Sequence, residues 1–255
     1  MRIQRLNLDN SWFINWDGDS FLLDPWLSGP EIDGFAAFNI QWHATDALPY
    51  EQLDTFSHVL VSQPYADHCH QETLQKLPGE FNVFSVKQAS SKIKKWLPSK
   101  SLSLIPDISE GFIKMGNLDL AKISPKRLID PIYHALVIKN GNRYIFYAPH
   151  GFTITAEQYA FLKELSCTLL ITTYTHFTLP LLLGGVINPG LENASELTDL
   201  LKPDYVVNSH DEQKIAKGLV MKLAKVRYAE WNDMEVLQTK SKLLRMDNYA
   251  PLILD

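Results

Sequence analysis

The sequence predicts a mixed α/β fold in which two sheets are covered by helices, and three observations predict it. Strand-like segments dominate each half of the chain, helical segments are interleaved toward the end of each half, and tight-turn signals punctuate the strands. This order fits a pseudo-duplicated four-layer α/β/β/α sandwich better than one doubly wound parallel sheet. The chain has 255 residues, 45% hydrophobic and 21% charged, enough to bury a sizeable core. No linker-like stretch divides it, so residues 1–255 are expected to form a single domain.

The elements follow in order. Arg2 to Leu8, Trp12 to Trp16 and Ser20 to Leu23 read as a β-meander, with a turn at Asp17-Gly18 and an end at Asp24-Pro25. Residues 26–50 show no clean period and read as an ordered loop that forms a lid or pocket wall. His58 to Ser62 is a short apolar strand that runs into a polar loop, 63–70, and then a helix from Gln71 to Lys76. A strand at Asn82 to Ser85 and a helix at Val86 to Leu97, stopped by Pro98, come next, followed by short strands through 123.

In the second half, Ile132 to Lys139 and Arg143 to Tyr147 flank Asn140-Gly141-Asn142, a hairpin signal because Asn-Gly accepts positive φ. That hairpin delivers the chain to Ala148-Pro149-His150-Gly151. Thr155 with Gln158 has capping-box spacing and opens a helix bearing Tyr159, Leu162 and Leu165, followed by a strand at Thr168 to Thr172. Asn193 with Glu196 repeats the capping spacing before a helix that stops at Lys202-Pro203, and a strand at Asp204 to Val207 ends on Asn208-Ser209-His210. The apolar run Leu179 to Ile187 reads as a buried core element or, alternatively, as an apolar substrate wall within a second pocket-forming segment, 174–190.

Composition narrows the functional classes. A formal charge of −5 argues against a large nucleic-acid footprint. Lys87, Lys92, Lys94 and Lys95 lie opposite Val86, Ala89, Ile93 and Trp96 at helical spacing, which is the pattern of a solvated face. No apolar run reaches the length of a membrane span, and the first residues carry no leader pattern, so no membrane partner is expected. Only Cys69 and Cys167 are present, so free thiols in a reducing cytoplasm are expected.

Metal-capable side chains gather at four predicted strand ends: Asp67-His68-Cys69-His70, His150, His176 and His210. A lone histidine is more often a hydrogen-bonded structural group than a ligand, and His43, His58, His134 and His176 stay outside the metal set on that ground. Asp67 has its own structural alternative as the cap of the helix at 71.

The segment Val59-Leu-Val-Ser-Gln-Pro-Tyr-Ala-Asp-His68 resembles the apolar strand and His-x-His-x-Asp-His signature of the metallo-β-lactamase superfamily, with Gln63 and Tyr65 where the first two histidines belong. Phe21-Leu-Leu-Asp-Pro-Trp26 is similar to the segment preceding that signature in the branch of the ascorbate-phosphate lactonase. Arg143 to Gly151 and Pro203 to His210 resemble the family's later strands that end in ligands. The resemblance implies the four-layer sandwich. It also implies loss of the first metal position, through Gln63, Tyr65 and a middle loop at Ser124-Pro125-Lys126 without histidine. It implies retention of the second as Asp67, His68 and His210, with His150 replacing a bridging aspartate.

One divalent ion would then sit among Asp67, His68, His150 and His210, zinc first, with iron or manganese as alternatives. The chemistry implied is hydrolysis of an ester, lactone, amide or phosphoester of a small molecule. Asp67 and Tyr65 are the expected catalytic groups, and Gln63, Tyr65, His70 and His176 the expected substrate contacts, with Asp24 orienting a ligand histidine. Two other classes stay open: a non-catalytic binding protein with a decayed metal site, and an iron-dependent redox protein.

Overall fold

The computed structural model describes residues 1–125, 133–234, 237 and 241–255. These residues divide into two compact units, one of 1–105, 212–221 and 246–255, the other of 106–211 and 222–245.

The first unit is built on a seven-stranded sheet, ordered Leu252–Ile253, Arg2–Arg5, Trp12–Trp16, Asp19–Leu23, His58–Val61, Asn82–Ser85, Leu102–Leu104. The first four strands are antiparallel neighbours and the remaining additions are parallel. Short turns can join only antiparallel neighbours, so the parallel half needs crossovers, and helices Gln71–Lys76 and Lys87–Trp96 supply two of them. In the longer helix Ala89 and Ile93 are buried while Lys87, Lys92, Lys94 and Lys95 are exposed, as the spacing predicts.

Two expectations need correction here. The opening strand ends at Arg5, not Leu8, because the Asn7 side-chain oxygen accepts the backbone N–H groups of Asp9, Asn10 and Ser11 and so bends the chain. Segment 26–50 is not only loop: Glu31–Asp33 and Asn39–Trp42 pair and join Ile215–Lys217 in a three-stranded sheet. Glu31 and Asn39 are buried there, so polar residues occupy inward positions and the hydrophobic alternation that marks a strand is missing.

The second unit repeats the design. Its sheet runs Lys242–Leu244, Tyr205–Asn208, Ser166–Thr172, Arg143–Ala148, Ala135–Asn140, Leu118–Ile123, Ile113–Met115. Again four antiparallel neighbours continue into three parallel strands, which bears out the expected pseudo-duplication. Helix Leu191–Leu201 covers this sheet through Ala194, Leu197 and Leu201.

The turn at 140–142 is shifted from expectation. Asn140 pairs with Arg143 inside the ladder, and of the two turn residues only Gly141 has positive φ, at 58°. That is the demand of a type II′ turn, met by Gly141 alone. The Thr155–Gln158 capping box forms, but its helix is only Ala156–Tyr159. Asn193 does not cap a helix. Helix Leu191–Leu201 starts after Gly190, and the Asn193 amide instead accepts from Phe152 N and donates to Phe152 O, holding the loop after His150. The Leu179–Ile187 run is not a core element: it is the tip of a hairpin between His176–Thr178 and Val186–Pro189, with Leu181 and Leu182 89% and 98% exposed.

Candidate metal centre

In the first unit the chain leaves strand His58–Val61 and turns at 65–69, where the Tyr65 carbonyl accepts from the N–H groups of His68 and Cys69. This turn carries Asp67 and His68. The His68 imidazole is wholly buried. Its Nδ1 lies 2.6 Å from Asp24 Oδ2, whose carboxylate also accepts from Ser62 N at 2.7 Å and from the Ser62 hydroxyl. A carboxylate on Nδ1 fixes the proton there and directs Nε2 outward with its lone pair. Nε2 lies 3.7 Å from Asp67 Oδ2, so two donors from adjacent residues converge. Burial opposes protonation of His68, but the Asp67 and Asp24 carboxylates and the bond to Asp24 raise its pKa above the ordinary value.

Asp24 sits at φ 47°, in the left-handed region, one residue before Pro25. Asp24, expected to orient a ligand histidine, is the partner of His68 Nδ1. Asn10 adds a second hold that sequence reading missed, its amide donating to the Asp67 carbonyl at 2.8 Å. Its only sequence signal is the Asn-rich turn 7–11, which reads as turn chemistry alone.

The same unit buries several charges. Lys214 Nζ donates to Asp9 Oδ2 at 2.9 Å. Burial works against the Lys214 ammonium, but the charges of Asp9, Glu31 and Asp67 raise its pKa. Glu31 is 1% exposed, and burial followed by the Asp67 charge pushes its pKa well above the usual carboxylate range. None of Asp9, Glu31 and Lys214 carries a recognisable motif.

In the second unit, strand Arg143–Ala148 ends two residues before His150. His150 Nδ1 lies 2.8 Å from Asn188 Oδ1, an acceptor, so Nδ1 carries the proton and Nε2 the lone pair. The His150 ring stacks on Tyr133 at 4.1 Å and on His210 at 4.4 Å, the latter with planes 23° apart. His210 follows strand Tyr205–Asn208 at φ 56°. Asp211, next to it, accepts from Tyr174 N, Thr175 N and the Thr173 hydroxyl and ties this turn to loop 173–175.

Asp67, His68, His150 and His210 each offer one ligand atom, and those four atoms lie within 4.8 Å of one another. Three imidazoles and a carboxylate form a donor set suited to a borderline divalent cation, and two of the imidazoles have acceptors on Nδ1, as metal-ligating histidines generally do. Among the described residues this is the group of three or more metal-capable side chains found.

The other expected site residues are placed as follows. Gln63 is buried and Tyr65 half-buried, both on the Asp67 loop. The cap of helix Gln71–Lys76 is His70 rather than Asp67: His70 Nδ1 accepts from Thr73 N, and Nε2 meets the Pro30 carbonyl at 3.2 Å. His176 Nδ1 donates to the Pro189 carbonyl. His43 is bonded to Glu212 and Trp26, and His58 packs edge-on against Phe84. Lys126 of the middle loop lies outside the described residues.

The chain belongs to the metallo-β-lactamase superfamily: the family model described as "Beta-lactamase superfamily domain" matches residues 7–210. Among solved structures, it is similar to an isothiocyanate hydrolase from Delia radicum gut bacteria, at 16% identity over 100% of this chain and 99% of that one, with a TM-score of 0.70. It is similar to CmlA, a diiron β-hydroxylase from Streptomyces venezuelae, at 16% identity and a TM-score of 0.69, over 99% of this chain and 54% of that one. Igni18, a metallo hydrolase from the archaeon Ignicoccus hospitalis, matches over the full length of both chains at 13% identity and a TM-score of 0.65. No curated protein matches the chain in sequence. At these identities the structural likeness shows the fold, the α/β class expected from the sequence. Among the described residues no helix is long and apolar enough to cross a membrane.

Proposed function

We propose that this chain is a metal-dependent hydrolase in which Asp67, His68, His150 and His210 hold one divalent ion, zinc first. The observation that carries the reading is the convergence of these four donors within 4.8 Å. Similarity to an isothiocyanate hydrolase and to a metallo hydrolase supports the reaction class. When bound, such an ion lowers the pKa of water and polarises the carbonyl or phosphoryl oxygen of an ester, lactone, amide or phosphoester.

The chain's own residues do the rest. Asp67 has two carboxylate oxygens, one to ligate and one to take a proton from the attacking water. The Tyr65 phenol donates to the oxygen on which negative charge develops, and the Gln63 amide positions the substrate. His70 and His176, whose ring nitrogens bond Thr73, Pro30 and Pro189, enter as positioning groups. Asp24 keeps His68 in the tautomer that presents Nε2. Four protein donors would saturate an ion that takes four ligands, so turnover would require a further open position on it or release of one of the four donors.

The resemblance of Phe21 to Trp26 to the ascorbate-phosphate lactonase branch makes a lactone the first substrate to try. This reading takes residues 1–255 as one domain and a small molecule as substrate. It places the protein in the cytoplasm, in keeping with two buried free thiols, Cys69 and Cys167. An iron-dependent redox centre is the second reading, favoured by the similarity to CmlA.

The test is metal content of tag-free protein by mass spectrometry, for wild type, D67A and H210A. About one equivalent of zinc in wild type, lost from both folded variants, supports the hydrolase and calls for the lactone, ester, amide and phosphoester panel. Iron with visible colour favours the redox reading. A wild-type chain that holds no metal and cannot be loaded overturns both and leaves a binding protein on a decayed site.

A further inference from the structure

The hairpin tip Leu179-Pro-Leu-Leu-Leu-Gly-Gly185 in the second unit has no part in the metal centre, and its sequence reads as core. Yet Leu181 and Leu182 are 89% and 98% exposed, Val186 is 55% exposed, and Leu183, Leu223, Val226 and Tyr228 are more than a third exposed. Adjacent leucines this bare, on a hairpin paired with a strand that also exposes apolar side chains, are the kind of surface that marks a docking site.

The tip is also a built object. Leu179 N donates to Gly185 O, Leu183 N and Gly185 N to Pro180 O, and Gly184 N to Leu181 O, while Pro180 has no N–H. Gly184 and Gly185 at φ 118° and 70° close the turn. The backbone donors of Leu179, Leu183, Gly184 and Gly185 are thus satisfied within the tip itself, which lowers the cost of moving it out of water to the depth of a headgroup layer.

Charge singles out the partner. The chain as a whole carries −5, but residues 174–190 contain no Asp or Glu, and residues 222–228 contain Lys222, Lys225 and Arg227 and no acid. Strand Lys225–Arg227 pairs with His176–Thr178, so Lys225 lies level with Thr178, the residue before the tip begins. All three basic side chains are exposed. Bare leucines on a closed turn, flanked by a basic strand and Tyr228, match an anionic bilayer surface: leucines enter the acyl boundary, cations meet headgroup phosphates and Tyr228 suits the interface between them.

The geometry points to reversible docking of this hairpin on membranes that contain anionic phospholipid. A surface contact of this kind needs no membrane-spanning helix. Docking of this kind is independent of what the metal centre does.

The test is co-sedimentation of the full chain with phosphatidylcholine vesicles, with and without phosphatidylserine. Wild type is expected to bind the phosphatidylserine vesicles and to be released by salt. Both L181S/L182S and K225E/R227E, at positions exposed enough to leave folding intact by circular dichroism, are expected to weaken binding by about tenfold or more. No sedimentation of wild type with anionic vesicles overturns the proposal, as does undiminished binding of L181S/L182S. A wild-type dimer in analytical ultracentrifugation that L181S/L182S disperses, without vesicle binding, also overturns it and assigns the tip to a second copy of the chain.

Discussion

In the first unit His68 is wholly buried and held by the Asp24 carboxylate, whereas in the second His150 meets the neutral amide of Asn188 and shares a ring stack with His210. The first arrangement is fully buried and charged, and the Asp24 carboxylate is shared with Ser62. The second depends on ring packing and on a turn tied down by Asp211. The difference teaches that the two pairs of expected ligands rest on unequal foundations: one on electrostatics in a dry interior, the other on shape.

The largest effect expected is at the charged frame. Asp24→Ala removes the acceptor of Ser62 N, the Ser62 hydroxyl and His68 Nδ1 together, and is expected to cost about 3–5 kcal/mol in denaturant unfolding. The milder Asp24→Asn is expected to fold and to lower metal affinity about a hundredfold in a chelator competition.

Acid probes the second unit next. Burial, with Lys122 adding to it, pushes the His134 pKa down to about 4. The unfolded chain takes up this proton below about 6.5 and the folded chain only near 4, so stability is lost as pH falls through that window. Urea titrations across it are expected to show a loss of up to about 3 kcal/mol, which His134→Phe removes.

Asn193→Ala strips both bonds from Phe152 and is expected to cost about 2 kcal/mol, read as a shift of the urea midpoint. The smallest effect is at Asn188→Ala, which leaves the ring stack in place and is expected to lower metal affinity about tenfold in the same competition. If Asn188→Ala weakens metal as much as Asp24→Asn, the contrast between the two frames is broken.

Legibility in the sequence followed locality. Helix Gln71–Lys76 and strand Asn82–Ser85 were readable to the residue, because Pro78 and Gly79 separate two short segments of opposite period. Asp67, His68, His150 and His210 were readable because each sits at a strand end within a block that resembles the family. Asn193 misled because capping-box spacing says nothing about a loop forty residues away that competes for the same amide. The Leu181–Leu183 run misled because hydrophobicity argues for burial without naming what does the burying. Asn10, Asn188 and Asp211 were invisible, since each works through backbone or ring groups distant in sequence.

His210 keeps a left-handed backbone, φ 56°, at a place where glycine would be relaxed and asparagine nearly so. For an imidazole-bearing residue that conformation is an uphill choice, by roughly 1 kcal/mol. Glycine at 210 is therefore expected to relax the backbone and, in the same change, to remove the ring that stacks on His150, so that backbone ease and the ring stack pull in opposite directions at this one position.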